Sequence, residues 1–346
     1  MQNKTKIILF VSLFVLIAFF LVVDLILGSV SIPGEKIMAI LMGEDVKASW
    51  NYIILNFRLP KALTAILVGA GLSVSGLMMQ TLFRNPLAGP YVLGISSGAS
   101  LGVALMVMAS VLLPGVFGVV YSFLGSWALV VSAIAGASII FIIIGMASIR
   151  ISDSVSLLII GIMFGSITGA VVNILQYFSD PEQLQSFIVW TFGSLSGVTW
   201  NEMRLMAPIV ILGLLLSIAL IKPMDALLLG ENYARGVGIS VNRTRIWVII
   251  STALVAGTLT AFAGPIAFIG VAVPHMARAI FGTASHKVLL PAVVFIGAAL
   301  MLVCDILSQV PGSQTTLPIN SVTAIFGGPV VIWVIVRSRS VKASFS

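Results

Sequence analysis

Charged side chains are scarce in this sequence. Only 8% of its 346 residues are Asp, Glu, Lys or Arg, whereas 59% are hydrophobic, and the mean hydropathy is +1.17. Because soluble domains carry about 25% charged residues, this composition excludes a soluble globular protein. Apolar runs of about 20 residues recur along the chain, which is the length that an α-helix needs to cross a bilayer. We therefore expect an all-α, polytopic integral membrane protein with about ten transmembrane helices.

Metal ligands and thiols are also few. Cys304 is the single cysteine and lies in an apolar run, so neither a disulfide nor a thiolate metal site is expected. His275 and His286 have no acidic residues near them in the sequence, which disfavours a metal site. The net charge of +7 is not concentrated in a basic run or interleaved with aromatic residues, so we expect no nucleic-acid partner. The sequence predicts no cofactor and no metal in this chain.

The middle of each apolar run lacks Asp, Glu, Lys and Arg. Asp24 and Asp305 lie near the ends of their runs, and we expect water to reach Asp24. Ion-coupled carriers usually need an ionisable group inside the membrane, and an intramembrane enzyme needs a reactive constellation, neither of which is visible. A secondary carrier and an enzyme are therefore the disfavoured alternatives to a passive membrane body that is driven from outside.

The whole chain, 1–346, is interpreted as a single transmembrane domain. Its first apolar run, 7–27, is longer than the 7–15 residues of a signal peptide and is expected to stay as a helix. A short span between Gly264 and Arg278 is interrupted by prolines, and an amphipathic piece at 179–195 is expected at the interface. The other predicted spans are 58–83, one starting near 92, 117–148, 155–178, 203–221, 246–262, 288–309 and 319–336.

The distribution of basic residues predicts the orientation. With ten spans both termini lie on one side, and thirteen of the 18 Lys and Arg residues fall on that side. The other five are Lys36, Lys47, Arg58, Lys61 and Arg204. Because basic residues favour cytoplasmic loops, the termini are predicted to be cytoplasmic, and so is the charged stretch 222–245.

The stretch 222–245, called here the coupling segment, has internal order. A short apolar turn ends at Gly230, a polar helical turn follows from Glu231 to Arg235, and Gly236 and Gly238 break it. This pattern predicts two very short helices hinged by glycine, which another protein could grip. An ordinary loop is the alternative, although structureless loops of this length are uncommon.

Small and polar residues within the spans suggest packing and a path. Glycines at spacing four let helices approach closely in lipid, and packing is favoured over any ligand role for Gly94, Gly98, Gly102, Gly161, Gly165 and Gly169. We interpret five further residues as candidates for lining a translocation path, with interhelical hydrogen bonding as an equal alternative for the amides: Met78, Met79, Gln80, Asn173 and Gln176.

Long stretches of the sequence resemble the FecCD-type permease subunits of ATP-binding-cassette importers for iron–siderophores, haem and cobalamin. The resemblance covers 58–337 and is strongest over 58–100, which begins RLPKALTAILVGAG. Further similar stretches include WTFGSLSGVTW at 190–200 and LLLGENYARGVGISVNRTR at 227–245. Others lie at 264–282, 289–292 and 317–337.

The resemblance implies the partners. Two ATPase subunits, which bind ATP and Mg, would dock on the short coupling helices of the permease. A second permease subunit would pair with this one in the bacterial inner membrane, with an identical copy expected and a different partner left open. The residues placed at the ATPase contact are Asp225, Gly230, Glu231, Arg235, Gly236 and Gly238.

The resemblance also implies the outer partner and the cargo. A periplasmic or lipid-anchored binding protein would dock where Arg58 and Lys61 match the basic positions of the family. Gln309 stands where some relatives carry a further basic residue. Iron chelates are the expected cargo, cobalamin is the alternative, and the chain itself is expected not to be an enzyme.

Overall fold

The computed structural model describes residues 3–28, 30–44, 46–108, 124, 127–151, 154–309 and 316–337. This part of the chain folds into helices without a strand, apart from an isolated bridge between Gln309 and Thr316. The helices are α1 (Asn3–Ile26), α2 (Gly34–Leu41), α3 (Ala48–Leu82), α4 (Ile95–Met108), α5 (Trp127–Arg150), α6 (Ser154–Tyr177), α7 (Pro181–Thr191), α8 (Trp200–Ala219), α9 (Ile221–Leu228), α10 (Glu231–Gly236), α11 (Val241–Ala263), α12 (Ile269–Phe281), α13 (His286–Ser308) and α14 (Ile319–Arg337).

Seven of the described helices are long and apolar enough to cross a membrane. Three shorter apolar helices, α4, α12 and α14, lie where the remaining spans were expected. The predicted all-α polytopic class is confirmed, while the count of ten stays a prediction. Residues 117–123 of the predicted fourth span lie outside the described residues.

Helix α3 begins about ten residues before its predicted start. We expected Arg58 and Pro60 to open it, but the helix starts at Ala48 and passes through a π-helical turn over Ile54–Arg58. Proline removes one backbone hydrogen bond from a helix. The π-helical turn contains the carbonyl group that would have accepted the bond missing at Pro60, and the helix therefore continues through the proline.

The centre of the bundle is formed by α3, α11 and α13. Between 67% and 83% of the apolar stretch of each of these helices is buried inside the protein, against 6% for that of α1. A Cβ added to Gly69 of α3 would lie 2.1 Å from the carbonyl oxygen of Gly297 on α13, and one added to Gly76 would lie 1.6 Å from that of Gly270 on α12. Glycine at these positions lets the helix backbones touch, as small residues do in membrane interiors.

The predicted role of the spaced glycines in packing holds for some of them. Gly98 and Gly102 on α4 meet the backbone of Gly136 and Ser132 on α5, at 2.6 and 1.9 Å from an added Cβ. Gly169, in contrast, has no atom within 4 Å of such a Cβ. The α4–α5 contact therefore depends on glycine, whereas Gly169 has no close contact among the described residues.

The breaks around α12 follow the sequence. Gly264, at φ 77°, ends α11, and Phe268, at φ 68°, precedes α12. Helix α12 has 13 residues and contains Pro274, so this span is short and irregular as predicted. Irregular backbone is tolerated at membrane depth where protein covers it, and most of α12 is buried.

Candidate functional site

The coupling segment contains two short helices joined at a glycine. Helix α9 ends at Leu228, Gly230 has φ 114° and ψ 153°, and α10 runs from Glu231 to Gly236. Gly238 also has a positive φ, of 83°. Side chains other than hydrogen strongly disfavour these backbone angles, so Gly230 and Gly238 fix the directions in which α10 is entered and left.

Helix α9 is attached to the start of α13 through Asp225. The Asp225 carboxylate accepts hydrogen bonds from the His286 backbone N–H at 2.7 Å, from the His286 ring Nδ1 at 2.7 Å and from Ser285 Oγ at 3.2 Å. Partial burial raises the pKa of Asp225, but these bonds lower it by more, so the net direction is downward. Asp225 therefore stays ionised at neutral pH and caps α13.

Helix α10 is attached to α11 and to the end of α5. Glu231 accepts from Arg245 Nη2 and from Arg235 Nη2, each at 3.1 Å. The Arg245 side chain is only 1% exposed, and its Nη1 donates to the carbonyl of Ile151 at 3.0 Å. The buried guanidinium thus joins the coupling segment to Ile151, directly after α5.

The structure changes the interpretation of three predicted contact residues. The carboxylates of Asp225 and Glu231 are occupied by partners within the chain, so their roles here are to hold α9 and α10 in place. Gly236 ends α10 with helical backbone, and no atom lies within 4 Å of an added Cβ, so any role in shaping the segment does not depend on a positive φ and stays a prediction. Arg235, with a side chain 55% exposed, is free to meet a partner protein in addition to Glu231.

An apolar stripe on the coupling segment was missed from the sequence. Leu229 is 66% exposed, Tyr233 50% and Val237 54%. Tyr233 and Val237 are four residues apart and share one side of α10 and its C-terminal flank, and Leu229 lies at the end of α9, before the break at Gly230. Exposed apolar residues clustered in a charged segment mark an interaction surface. The spacing of four is visible in the sequence, whereas the exposure of the three side chains is not.

Both predicted outer docking residues contact groups within the chain. Arg58 is 8% exposed; its Nη1 donates to the carbonyls of Leu25 at 2.7 Å and Ile26 at 2.9 Å, and its Nη2 to that of Val30. The last carbonyls of a helix lack intrahelical donors, and Arg58 supplies donors at the end of α1. In this structure Arg58 therefore has no free face for a partner.

Lys61, whose side chain is 14% exposed, belongs to an ion cluster with two buried carboxylates, here called the outer ion cluster. Its Nζ lies 2.9 Å from Asp305 Oδ2 and 3.9 Å from Asp24 Oδ1, and Gln309 Nε2 donates to Asp24 Oδ1 at 2.6 Å. The expectation that water reaches Asp24 is wrong, since Asp24 is 2% exposed. The cluster joins α1, α3 and α13, so Lys61 and Gln309 both make contacts that hold these helices together.

The candidate path residues divide into two groups. Met78, Met79 and Gln80 of α3 are at most 1% exposed and pack in the core of the bundle, so in this structure they do not face an open path, and their lining role stays a prediction. Gln80 donates to the Val271 carbonyl and accepts from Arg278 Nη1 at 2.7 Å, so interhelical hydrogen bonding explains its amide. On α6, by contrast, Asn173 is exposed and Gln176 half-buried.

Comparison with known proteins decides the family. A family model described as the FecCD transport family matches residues 15–337. The chain belongs to the FecCD transport family. This FecCD protein is 39% identical over 300 residues to the vitamin B12 import system permease protein BtuC of Klebsiella pneumoniae, with 86% of each chain covered. It is 34% identical over 296 residues to the hemin transport system permease protein HmuU of Yersinia pestis, again with 86% of each covered.

A solved structure supports the FecCD fold independently. It is described as an inward-facing conformation of a metal-chelate type ABC transporter. Its TM-score with this chain is 0.81 at 27% sequence identity, and the match covers 95% of this chain and 99% of the other. The predicted family is therefore confirmed. The FecCD protein is a multi-pass membrane permease of an ABC importer.

Proposed function

We propose that this FecCD permease moves an iron chelate, a siderophore or haem, across the bacterial cytoplasmic membrane by alternating access. The observation that carries the proposal is the coupling segment, which combines an exposed apolar stripe at Leu229, Tyr233 and Val237 with internal ion pairs that hold it rigid. A helix that presents such a stripe fits a hydrophobic groove on a partner. The partner we infer is an ATPase subunit, one for each of two permease subunits.

The rest of the assembly is inferred from the family. A second copy of the permease would complete the path, and ATP and Mg would bind in the ATPase rather than in this chain. Alternating access is supported by the similar transporter described as inward-facing. Asn173 and Gln176, on the accessible part of α6, are the residues that we propose for the path.

A binding protein would deliver the cargo to the outer side. Docking at Arg58 and Lys61 stays a proposal, and it requires their buried contacts to be rearranged. Lys36, Lys47 and Arg204 are exposed and add positive charge to the same predicted side of the membrane, so we propose an acidic docking surface on the binding protein. Complementary charge of this kind speeds encounter and fixes orientation.

Cobalamin is the second candidate cargo. It is favoured by the 39% identity to the BtuC permease, whereas iron chelates are favoured by the HmuU permease and by the metal-chelate transporter. Among the described residues no group of three or more His, Cys, Asp or Glu could hold a metal ion. We therefore propose that the chelate crosses intact and that the permease does not ligate its metal.

The test is reconstitution of the permease with its ATPase and binding protein in liposomes. We expect ATP-dependent uptake of a ferric siderophore or of haem, and uptake of cobalamin alone would replace the first cargo with the second. Tyr233→Ala should reduce copurification of the ATPase. Tyr52→Ala is the matched control, because Tyr52 is 61% exposed on the predicted opposite side. Equal loss in both variants would contradict the docking role of the stripe.

A further inference from the structure

A chain of side-chain contacts leads from the coupling segment into the bundle. Asp225 on α9 binds the His286 ring at Nδ1, 2.7 Å away. His286 is the first residue of α13 and is 0% exposed. Its other nitrogen, Nε2, lies 2.8 Å from Thr81 Oγ1 at the end of α3. One imidazole ring therefore contacts three helices.

The protons at this ring follow from its neighbours. The Asp225 carboxylate can only accept, so Nδ1 must carry a hydrogen. Thr81 Oγ1 also lies 3.0 Å from the Leu77 carbonyl, which only accepts. When the Thr81 hydroxyl donates to the Leu77 carbonyl, it accepts a hydrogen bond from the Nε2–H of His286. When the hydroxyl instead donates to Nε2, that nitrogen carries no hydrogen and the ring is neutral. Both nitrogens keep a partner in either state, so the ring stays fixed between Asp225 and Thr81.

The two helices that receive this contact are held together along their length. Gly69 of α3 and Gly297 of α13 approach so closely that an added Cβ on Gly69 would lie 2.1 Å from the Gly297 carbonyl oxygen. At the far end of the same pair, Lys61 of α3 and Asp305 of α13 form the 2.9 Å ion pair of the outer ion cluster. Close packing has low compressibility and transmits strain, so we expect two helices that are also bonded at both ends to move together.

We infer that His286 is a positioning residue that transmits movement of the coupling segment to the α3–α13 pair and, through that pair, to the outer ion cluster. The inference rests on the proposed function in one respect, that a partner ATPase moves α9. Energetic coupling over such a distance travels through packed helices and hydrogen bonds that shift together. Asp225, His286 and Thr81 provide a direct side-chain link of this kind at the inner end.

The test compares Thr81→Val with Thr81→Ser in the complete transporter in nanodiscs. Valine keeps the shape of threonine but removes the hydroxyl, whereas serine keeps the hydroxyl as the matched control. The first readout is hydrogen exchange of the α9 and α10 amides. In Thr81→Val the loss of one hydrogen bond should raise the exchange rate of these amides about threefold to tenfold, even though the substituted residue lies on α3. Thr81→Ser should match the wild type.

The second readout is the number of ATP molecules hydrolysed per ligand imported. Transmission through His286 predicts that this number rises in Thr81→Val and His286→Gln, since hydrolysis continues while uptake falls. A purely structural role would lower hydrolysis and uptake together. Identical exchange and identical ratios in Thr81→Val and Thr81→Ser would overturn the inference. A wild-type complex that shows no ATP-driven uptake would instead refute the proposed function, and the exchange readout would still decide whether the link exists.

Discussion

Replacing Gly230 by alanine should weaken ATPase coupling without a steric clash. The nearest atom to an added Cβ at Gly230 is Arg84 Nη2, 3.9 Å away, so space is available. The backbone angles are the obstacle, because φ 114° and ψ 153° lie in a region that is essentially restricted to glycine. Holding alanine there costs about 1–3 kcal/mol. At about 1.4 kcal/mol for each factor of ten, the native turn becomes roughly fivefold to 150-fold less favourable.

Gly236 provides the matched control within the same segment. It is the last residue of α10, its φ is not positive, and no atom lies within 4 Å of an added Cβ. Alanine there should be neutral or should stabilise the helix by about 0.5–1 kcal/mol. The same substitution, six residues apart in the sequence, is thus expected to have opposite effects.

The assay measures copurified ATPase and ATP-driven uptake for both variants, after normalising to the amount of folded permease. We expect Gly230→Ala to retain less ATPase and to lose uptake, and Gly236→Ala to behave as the wild type. If Gly236→Ala were as defective as Gly230→Ala, glycine at 236 would be needed for contact with the partner, and the argument from backbone angles would fail. If neither variant were defective, the turn at Gly230 would not position α10 for coupling.

Three further predictions concern the membrane body. Gly76→Ala should prevent folding, because its Cβ would lie 1.6 Å from a backbone oxygen, whereas Gly145→Ala meets nothing within 4 Å and should express normally in a detergent-extraction assay. Lys61→Met should lower stability by about 3–5 kcal/mol, since it leaves the buried Asp305 carboxylate without its cation; an unchanged unfolding temperature would refute the pairing. Asn173→Cys should react with a water-soluble thiol reagent and Met78→Cys should not, and labelling of Met78→Cys during turnover would restore Met78 to the path.

Most helices and their breaks could be predicted from the sequence because their causes are local. Apolar length predicted the spans, and Gly264 and Pro274 predicted the irregular region around α12. Gly230 predicted the hinge of the coupling segment. The start of α3 was misplaced because proline normally opens or ends a helix, and only the structure shows that a π turn accommodates Pro60.

The partners of buried charges could not be predicted, because they are distant in the sequence. Arg58 binds carbonyls of Leu25 and Ile26, which precede it by 33 and 32 residues. The docking role of Arg58 and Lys61 is implied by the resemblance to the family, and nothing local in the sequence indicates their contacts within the chain. The same sequence position fits a role at the end of a neighbouring helix equally well, and only the fold distinguishes the two.

The location of the buried charges explains how a membrane body with so few of them can be moved from one side. On the α3–α13 pair, ionic and hydrogen-bonded contacts lie at the two ends, at Thr81 with His286 and at Lys61 with Asp305. Between them the backbones approach at Gly69 and Gly297, and the Ser73 hydroxyl beside Gly297 donates to the Gly69 carbonyl of its own helix, so it needs no partner on α13 when the pair moves. A displacement at the inner end therefore reaches the outer end without breaking an ion pair in the hydrocarbon region. A charged group placed midway, for example by Gly297→Asp, should abolish uptake through loss of the α3–α13 contact, and normal uptake in that variant would show that the pair does not act as one body.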